Sequence, residues 1–256
     1  MIISHDHKFI FFKPAKVAGT SLELALAQHC GENDIITPIA NLNIGLDEGH
    51  LEHTPRNYEG FYEHMTPDEI KKQVGEVWDD YTKITITRNP WDMVVSRWYW
   101  TQTEYNDPRI ETGTQTNVLT RLVELVQEGN LSLDRILTSA RHRLIDKPKL
   151  KKSIAEGDFE AFAQKLPPYF TNNNFYFDSE GQDNFDVLLR FENLQDDYDE
   201  LCSSFGFSKS TLPRAKTKVR KDKKHYSTHY TPISRNAISQ KFSSQIDRFG
   251  YSFEKI

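Results

Sequence analysis

One stretch of the chain decides the fold: Phe9-Ile10-Phe11-Phe12-Lys13-Pro14-Ala15-Lys16-Val17-Ala18-Gly19-Thr20-Ser21. Its apolar start predicts a buried strand from Lys8 to Phe12, and a helical pattern from about Thr20 to His29 follows the turn. The backbone N–H groups of such a turn and of the first helical turn point towards one spot and favour an anion there. The stretch therefore predicts a loop that binds a phosphate group.

The side chains of this loop also suit an anion. Gly19 allows close approach of the backbone, Thr20 and Ser21 supply hydroxyl donors, and Lys16 supplies a positive charge. Lys13 is a candidate for a second cation. The Walker pattern is absent, because Lys16 precedes Gly19 by three residues instead of following a glycine. The sequence thus indicates a phosphate loop of another kind.

A second strand-to-helix junction lies between residues 83 and 98. Isoleucine alternates with threonine before it, as in a β-strand, and Asn89-Pro90 supplies a capping side chain and a first-turn proline. We expect Arg88, just before the helix, and Ser96, within it, to share a second anion. The aromatic residues that follow, Trp98, Tyr99, Trp100 and Tyr105, are expected to pack in the core in preference to stacking on a sugar.

Together these segments resemble the nucleotide-binding signatures of sulfotransferases that use 3′-phosphoadenosine-5′-phosphosulfate (PAPS), in particular the branch that contains carbohydrate sulfotransferases. The resemblance implies that a K-x-x-G-T-S loop holds the 5′-phosphosulfate and that an R-N-P-x-x-x-x-x-S segment holds the 3′-phosphate. It assigns Lys16, Ala18, Gly19, Thr20 and Ser21 to the first group, and Arg88 and Ser96 to the second. One departure is Ala15, which lies between Pro14 and Lys16, where the family usually has proline directly before the lysine.

The resemblance extends towards the C-terminus. Residues 185–194 are similar to a family element in which a strand is followed by R-F-E-N-L and a helix. The basic strip, residues 209–224, holds eight Lys or Arg and one Asp, so the net charge of −5 for the whole chain leaves about −12 for the rest. By resemblance the strip covers the nucleotide, with Arg220 and Tyr226 as contacts. The alternatives are a solvated loop or, with less support, a nucleic-acid-binding segment.

The implied reaction moves a sulfuryl group from the nucleotide to an acceptor hydroxyl, for which a carbohydrate is one candidate. Lys16 would stabilise the leaving oxygen, and His64 would take the proton from the acceptor. His64 precedes a helix start at Thr66-Pro67, and by resemblance this segment brings a histidine to the acceptor; a capping or packing histidine is the alternative. Other candidate bases are His50, His53 and Glu63. A zinc site is not expected, because no third ligand accompanies the histidines.

The sequence predicts one α/β domain over residues 1–256, with a P-loop-NTPase-like, mainly parallel central sheet flanked by helices. A mostly helical insertion is expected over about 102–170, with helices near 118–126, 133–144 and 159–166. Beyond it we expect a short strand at 175–177, a strand at 186–191, a helix at 194–205 closed by Gly206, and a last helix at about 234–249.

Composition favours a cytoplasmic enzyme. Hydrophobic residues make up 37% and charged residues 27% of the chain, and no apolar run approaches the roughly 20 residues that span a bilayer. The N-terminal residues lack a secretory pattern, and two cysteines, Cys30 and Cys202, give no disulfide framework. Because animal relatives carry a membrane anchor, a bacterial or viral enzyme is favoured. The alternatives are a small-molecule kinase, disfavoured by the missing Walker order, and a nucleotide- or glycan-binding protein without catalysis.

Overall fold

The computed structural model describes residues 1–42, 53–106, 140–216, 219–220 and 222–254, without the side chains of residues 142 and 143. Within them one five-stranded sheet has the order β3-β1-β2-β4-β5. The strands are β1 (Ile2–Ser4), β2 (Phe9–Phe11), β3 (Ile35–Ile36), β4 (Thr82–Thr87) and β5 (Val187–Arg190). β2, β4 and β5 are parallel, whereas β1 pairs antiparallel with β2 and β3. The α/β class is confirmed, and the antiparallel edge follows from the short turn between β1 and β2.

The described helices lie on both faces of the sheet. They are α1 (Gly19–Ala27), α2 (Pro67–Val74), α3 (Val77–Asp80), α4 (Pro90–Asn106), α5 (Lys147–Ala155), α6 (Phe159–Lys165), α7 (Asn173–Tyr176), α8 (Leu194–Phe205), α9 (Pro232–Lys241) and α10 (Ser243–Phe249). Alternate residues of β2 face opposite ways. Phe9 and Phe11 pack with α1 and α8, and Ile10 packs with Met65 and Ile70 on the other face. The sheet is therefore the middle of three layers.

The helix ends follow the local signals in the sequence. α2 begins with a capping box, in which the Thr66 side chain accepts from the Glu69 N–H and the Glu69 carboxylate accepts from the Thr66 N–H. The Asn89 side chain accepts from the Trp91 N–H at 3.1 Å at the start of α4. Gly206 ends α8 in the left-handed conformation, with φ of 69°. These three predictions are confirmed.

Two predicted elements are wrong. Residues 175–177 were expected to form a strand, but Phe175 and Tyr176 belong to α7, and only Phe177 forms an isolated bridge, with Asp183. Tertiary packing outweighs strand propensity here, because Tyr176 is buried and donates to the Ile86 carbonyl at 2.9 Å. The last helix is broken at Phe242, which has φ of −108° and a fully buried ring.

Other sequence predictions have a mixed outcome. The strand near 186–191 and the helix at 159–166 are confirmed as β5 and α6. The helices expected at 118–126 and over most of 133–144 lie outside the described residues. Cys30 and Cys202 are free thiols. In the described part of the chain, no helix has the length and apolar character needed to cross a membrane.

Candidate active site

The loop between β2 and α1 has an unusual backbone. Lys16 and Ala18 of this loop lie in the left-handed region, with φ of 68° and 67°. His64, which precedes α2, also lies there, with φ of 61°. Residues with a side chain pay of order 1–3 kcal/mol for such a conformation, which persists only where the surrounding structure enforces it. All three residues belong to the predicted site. Five other described non-glycine residues also have positive φ, so the support for the site comes from the contacts that hold these residues.

Two distant segments hold the loop in place. The Arg88 guanidinium donates to the Lys16 carbonyl through Nη1 at 3.1 Å, so the second junction contacts the first. The Asn172 side chain forms a pair of hydrogen bonds with Ala15, donating to its carbonyl at 3.0 Å and accepting from its N–H at 3.3 Å. Nothing in the sequence around Asn172 indicates this contact. Its role as an anchor depends on a partner 157 residues away, which no local pattern reveals.

Gly19 is required by a protein contact. A Cβ atom at this position would lie 2.6 Å from Lys13 Cβ and 3.0 Å from Lys13 Cδ. The close approach predicted for Gly19 is thus made to the Lys13 side chain. We expect Gly19→Ala to lower the free energy of unfolding by about 1–3 kcal/mol, as overpacking does. Chemical denaturation measures this change, and an unaltered midpoint and slope would contradict the close contact.

Lys13 is not a second phosphate cation, contrary to the expectation. Only 1% of its side chain is exposed, and its ammonium forms ion pairs with Glu23 and, at 2.7 Å, with Glu63. Both carboxylates raise the pKa of Lys13 despite its burial. A lysine that already faces two carboxylates carries no surplus charge for a ligand.

Lys16 lies in a group of half-buried cations. Its Nζ is 4.0 Å from the centroid of the Trp100 ring, and Lys216 Nζ is 5.5 Å from the same centroid. Burial lowers the pKa of Lys16 well below its ordinary value, and Arg97 and Lys216 lower it further. Among the described residues, no carboxylate forms an ion pair with Lys16. A buried positive charge without a partner is costly, so the site favours an anion.

Arg97 has the same character. Its guanidinium lies over the Phe170 ring at 4.5 Å, and its Nε is buried with no hydrogen-bond partner among the described residues. Burial lowers the pKa of Arg97. We call Lys16, Arg97 and Lys216 the cation cluster. The sequence does not single out Arg97, and it marks Lys216 only as one residue of the basic strip that the resemblance places over the nucleotide.

The Arg88 side chain reaches the loop but is already paired. Its Nε and Nη2 donate to Asp92 Oδ2 at 2.9 and 2.7 Å, and its plane lies 3.8 Å from the Phe191 centroid. Three hydrogen bonds use three of the five N–H donors of a guanidinium, which leaves two for a ligand. Ser96 is half-buried, and its hydroxyl forms no hydrogen bond with a described residue.

The two predicted contacts of the C-terminal region lie near this pair. Arg220 Nη1 donates to Asp92 Oδ1 at 3.1 Å, so Arg88 and Arg220 share one carboxylate. Tyr226 is 6% exposed, within an apolar cluster, and its hydroxyl accepts from the Glu254 N–H at 2.8 Å. Arg220 is therefore placed beside the second junction, and Tyr226 packs behind it.

The hydroxyls of the loop differ in their surroundings. Ser21 is buried, and its Oγ accepts from the Ala215 N–H at 3.3 Å, which joins the basic strip to the start of α1. Thr20 is half-buried, and its hydroxyl forms no hydrogen bond with a described residue. Of the two, Thr20 is the hydroxyl free to meet a ligand.

His64 has a defined proton arrangement. Its Nδ1 lies 2.8 Å from the Lys13 carbonyl oxygen, which can only accept, so the neutral ring carries its proton on Nδ1. Its Nε2 is then unprotonated and lies 3.7 Å from Glu63 Oε1. Although 43% of the side chain is exposed, burial of part of the ring and the Lys13 ammonium lower the pKa of His64 to about 4. The neutral imidazole thus presents a bare, reachable nitrogen that can accept a proton, and its lowered pKa makes it a weaker base than an ordinary histidine.

The other candidate bases are less suitable. His53 Nε2 donates to the Thr37 carbonyl at 2.9 Å, and His50 lies outside the described residues. Both oxygens of Glu63 are engaged, one by Lys13 and the other by the Ala40 N–H at 2.8 Å. These contacts lower the pKa of Glu63, which makes it a weaker base than an ordinary carboxylate.

Comparison with known proteins decides the family. A model described as "Sulfotransferase family" matches residues 1–252. The chain belongs to the sulfotransferase family. A crystal structure of a sulfotransferase from Alicyclobacillus acidocaldarius is similar at 15% identity, covering 96% of each chain with a TM-score of 0.35. No curated protein matches the chain.

The sequence assigned Trp98 and Trp100 to the core, and Trp100 also borders the loop between β2 and α1. Trp98 is 5% exposed and packs in the core as expected. Trp100 is also mostly buried, but its ring face lies under Lys16 and Lys216, and its Nε1 donates to Glu104 at 2.6 Å. A tryptophan face attracts cations, so Trp100 holds two lysines at the loop.

Two further observations on the described residues concern metal binding and a cavity. No group of three or more His, Cys, Asp or Glu in the described ranges could hold a metal ion. A cavity of about 810 Å³ is lined by residues of α2, α7 and α10, among them Asp68, Asn173 and Asp247. None of the predicted site residues lines this cavity.

Proposed function

We propose that this sulfotransferase transfers the sulfuryl group of PAPS to an acceptor hydroxyl, with a carbohydrate as the candidate acceptor. The observation that carries the proposal is the cation cluster of Lys16, Arg97 and Lys216, half-buried beside a loop that leads into a helix N-terminus. None of the three forms an ion pair with a carboxylate among the described residues, and the nearby Glu104 offsets only part of their charge. A phosphosulfate group would supply the missing negative charge.

In this proposal the loop holds the 5′-phosphosulfate. The Lys16 ammonium binds the oxygen that joins phosphorus and sulfur, and it stabilises the charge that develops there as the sulfuryl group leaves. Gly19 and Thr20 contribute N–H groups at the start of α1, and Thr20 contributes its hydroxyl. The Ser21 N–H already donates to the Ala18 carbonyl at 3.0 Å, so Ser21 shapes the loop. Ala18 lies at the cap of the helix, where its left-handed backbone turns the chain into α1.

The second junction would hold the 3′-phosphate. Arg88 has two N–H donors left, and the Ser96 hydroxyl is unengaged. Arg220 adds a second guanidinium, which also donates to the Asp92 carboxylate. Asp92 then acts as the residue that orients both arginines. Tyr226 supports this arrangement from the apolar cluster behind it. This set would distinguish PAPS from adenosine 5′-phosphosulfate, which lacks the 3′-phosphate.

His64 is proposed as the base. As sulfur moves towards the acceptor oxygen, the hydroxyl proton passes to Nε2 of His64, and the bond between sulfur and the nucleotide oxygen breaks. The products are the sulfated acceptor and adenosine 3′,5′-bisphosphate. Alignment of the two reactants accounts for much of the rate, as in phosphoryl transfer.

The role of Arg88 is tested by binding. We expect Arg88→Ala to weaken the affinity for adenosine 3′,5′-bisphosphate about 10- to 100-fold, since hydrogen bonds to charged groups contribute about 1.5–3 kcal/mol. Isothermal titration calorimetry measures the change. Arg248→Ala is the matched control, because Arg248 pairs with Asp183 on the exposed surface. Equal affinities of the Arg88 variant and wild type would remove Arg88 from the site.

Two experiments separate this proposal from its alternatives. Thermal-shift measurements with adenosine 3′,5′-bisphosphate and with ATP and magnesium distinguish a sulfotransferase from a kinase. Transfer of labelled sulfate from PAPS to a panel of sugars distinguishes an enzyme from a binding protein and identifies the acceptor class. A cytoplasmic location, a single domain and an insertion over about 102–170 remain predictions.

A further inference from the structure

Lys13 contacts His64 through its backbone. The Lys13 carbonyl, two residues after the end of β2, accepts a hydrogen bond from the Nδ1–H group of His64. The oxygen and the nitrogen are 2.8 Å apart. The neighbouring Phe12 is tied to β4 twice, by its N–H to the Ile84 carbonyl at 3.2 Å and by its carbonyl from Thr85 Oγ1 at 3.0 Å. The Lys13 carbonyl, which accepts the hydrogen bond from His64, is therefore held in place by the sheet.

The Lys13 side chain contacts His64 through Glu63. Its buried ammonium holds Glu63 Oε1 at 2.7 Å, and the Ala40 N–H holds Glu63 Oε2 at 2.8 Å. With both oxygens fixed, Oε1 lies 3.7 Å from His64 Nε2. A carboxylate at this distance stabilises the imidazolium that forms when Nε2 accepts a proton.

We propose that Lys13 and Glu63 are positioning residues for His64: the Lys13 carbonyl selects the ring nitrogen that stays bare, and the Lys13–Glu63 ion pair keeps a carboxylate beside it. This inference rests on the proposed role of His64 as the base. It also explains why a lysine next to a phosphate loop is buried, since its function is directed at the histidine and not at the nucleotide.

Several charged groups surround this arrangement. Glu23 of α1 takes the other side of the Lys13 ammonium, and it also accepts from the Met1 amino group at 2.6 Å. Lys216 of the basic strip donates to the Ala40 carbonyl at 2.9 Å, close to Glu63. Of these groups, Lys13 and Glu63 have the largest charge effects on His64. Lys13 lowers the pKa of His64, and Glu63 raises it.

The test follows His64 by NMR titration in the full chain. We expect the wild-type ring to carry its proton on Nδ1, as its nitrogen signals report directly. Lys13→Met should raise the pKa of His64 by about 1, and Glu63→Gln should lower it by a similar amount. Because Lys13→Met leaves Glu23 buried, the double variant Lys13→Met with Glu23→Gln guards against a failure to fold. Lys83→Gln is the control, since Lys83 pairs with Asp186 at the start of β4.

Sulfuryl transfer as a function of pH provides the second readout. The pH at which kcat/KM falls on the acid side should shift in each variant in the same direction as the pKa of His64. The inference is overturned if His64 titrates identically in wild type and both single variants, or if its proton resides on Nε2. Absence of transfer by the wild type would instead contradict the proposed function, and the titration would still decide the positioning roles.

Discussion

Lys16→Ala should fold normally and lose sulfuryl transfer about 10²- to 10³-fold, as expected when a group that stabilises the leaving oxygen is removed. Its Nζ is the only lysine ammonium within 5 Å of the Trp100 centroid among the described residues. Lys13, the other lysine of the loop, cannot take its place, because two carboxylates hold it.

The same substitution has a second expected effect, on stability. Since Lys16 is a half-buried cation that forms no ion pair with a described carboxylate, the ligand-free variant should unfold at a temperature equal to or above that of wild type. Adenosine 3′,5′-bisphosphate should raise the melting temperature of wild type more than that of the variant. Lys83→Ala is the control, because Lys83 also lies near a tryptophan, Trp78, at 6.0 Å, but at the start of β4. Wild-type turnover in Lys16→Ala would remove Lys16 from the mechanism.

His64→Ala should lower kcat by about 10²- to 10⁴-fold, the usual contribution of a positioned base. A base acts in its deprotonated form, and the pKa of His64 is lowered to about 4. The wild-type rate should therefore persist as pH falls below 6.5 and decline only as pH approaches 4. Steady-state assays across this range check the profile, and an unchanged rate and profile in the variant would contradict the assignment.

The same pKa predicts a change in stability with pH. Between about pH 4 and 6.5 the unfolded chain binds more protons at this position than the folded chain, because the folded pKa is the lower one. His64 should thus favour unfolding as pH falls through this window, and His64→Ala should reduce that effect. His5→Ala is the control, because His5 is exposed and contacts Tyr81.

The sequence predicted the elements whose signals are local. Three such parts were found: the strand, loop and helix at residues 8–29, the capped helix start at Thr66, and the glycine end of α8. Each depends on neighbouring residues in the chain. The left-handed backbone at Lys16, Ala18 and His64 could not be predicted, because these residue types rarely adopt it.

The parts of the site that were missed depend on tertiary contacts. Arg97, Trp100 and Lys216 converge on Lys16 from α4 and from the basic strip, and no spacing rule connects them. Lys13 resembled an exposed loop cation because its partners, Glu23 and Glu63, lie 10 and 50 residues away in the chain. Charge compensation between distant segments is visible only once the chain is folded.

The acceptor side is the least defined by sequence. The resemblance suggests a carbohydrate, whereas family membership supports sulfonate transfer without specifying the acceptor. The described residues near His64 hold its ring and leave part of it exposed. Acceptor screening with purified protein is therefore the route to the substrate.

Calorimetric titration of the purified chain with adenosine 3′,5′-bisphosphate tests the central claim most directly. We expect saturable binding at one site per chain and much weaker binding of adenosine 5′-monophosphate. Arg88→Ala should lose this preference for the bisphosphate over the monophosphate. No detectable binding of the bisphosphate, or equal binding of the two nucleotides, would contradict it.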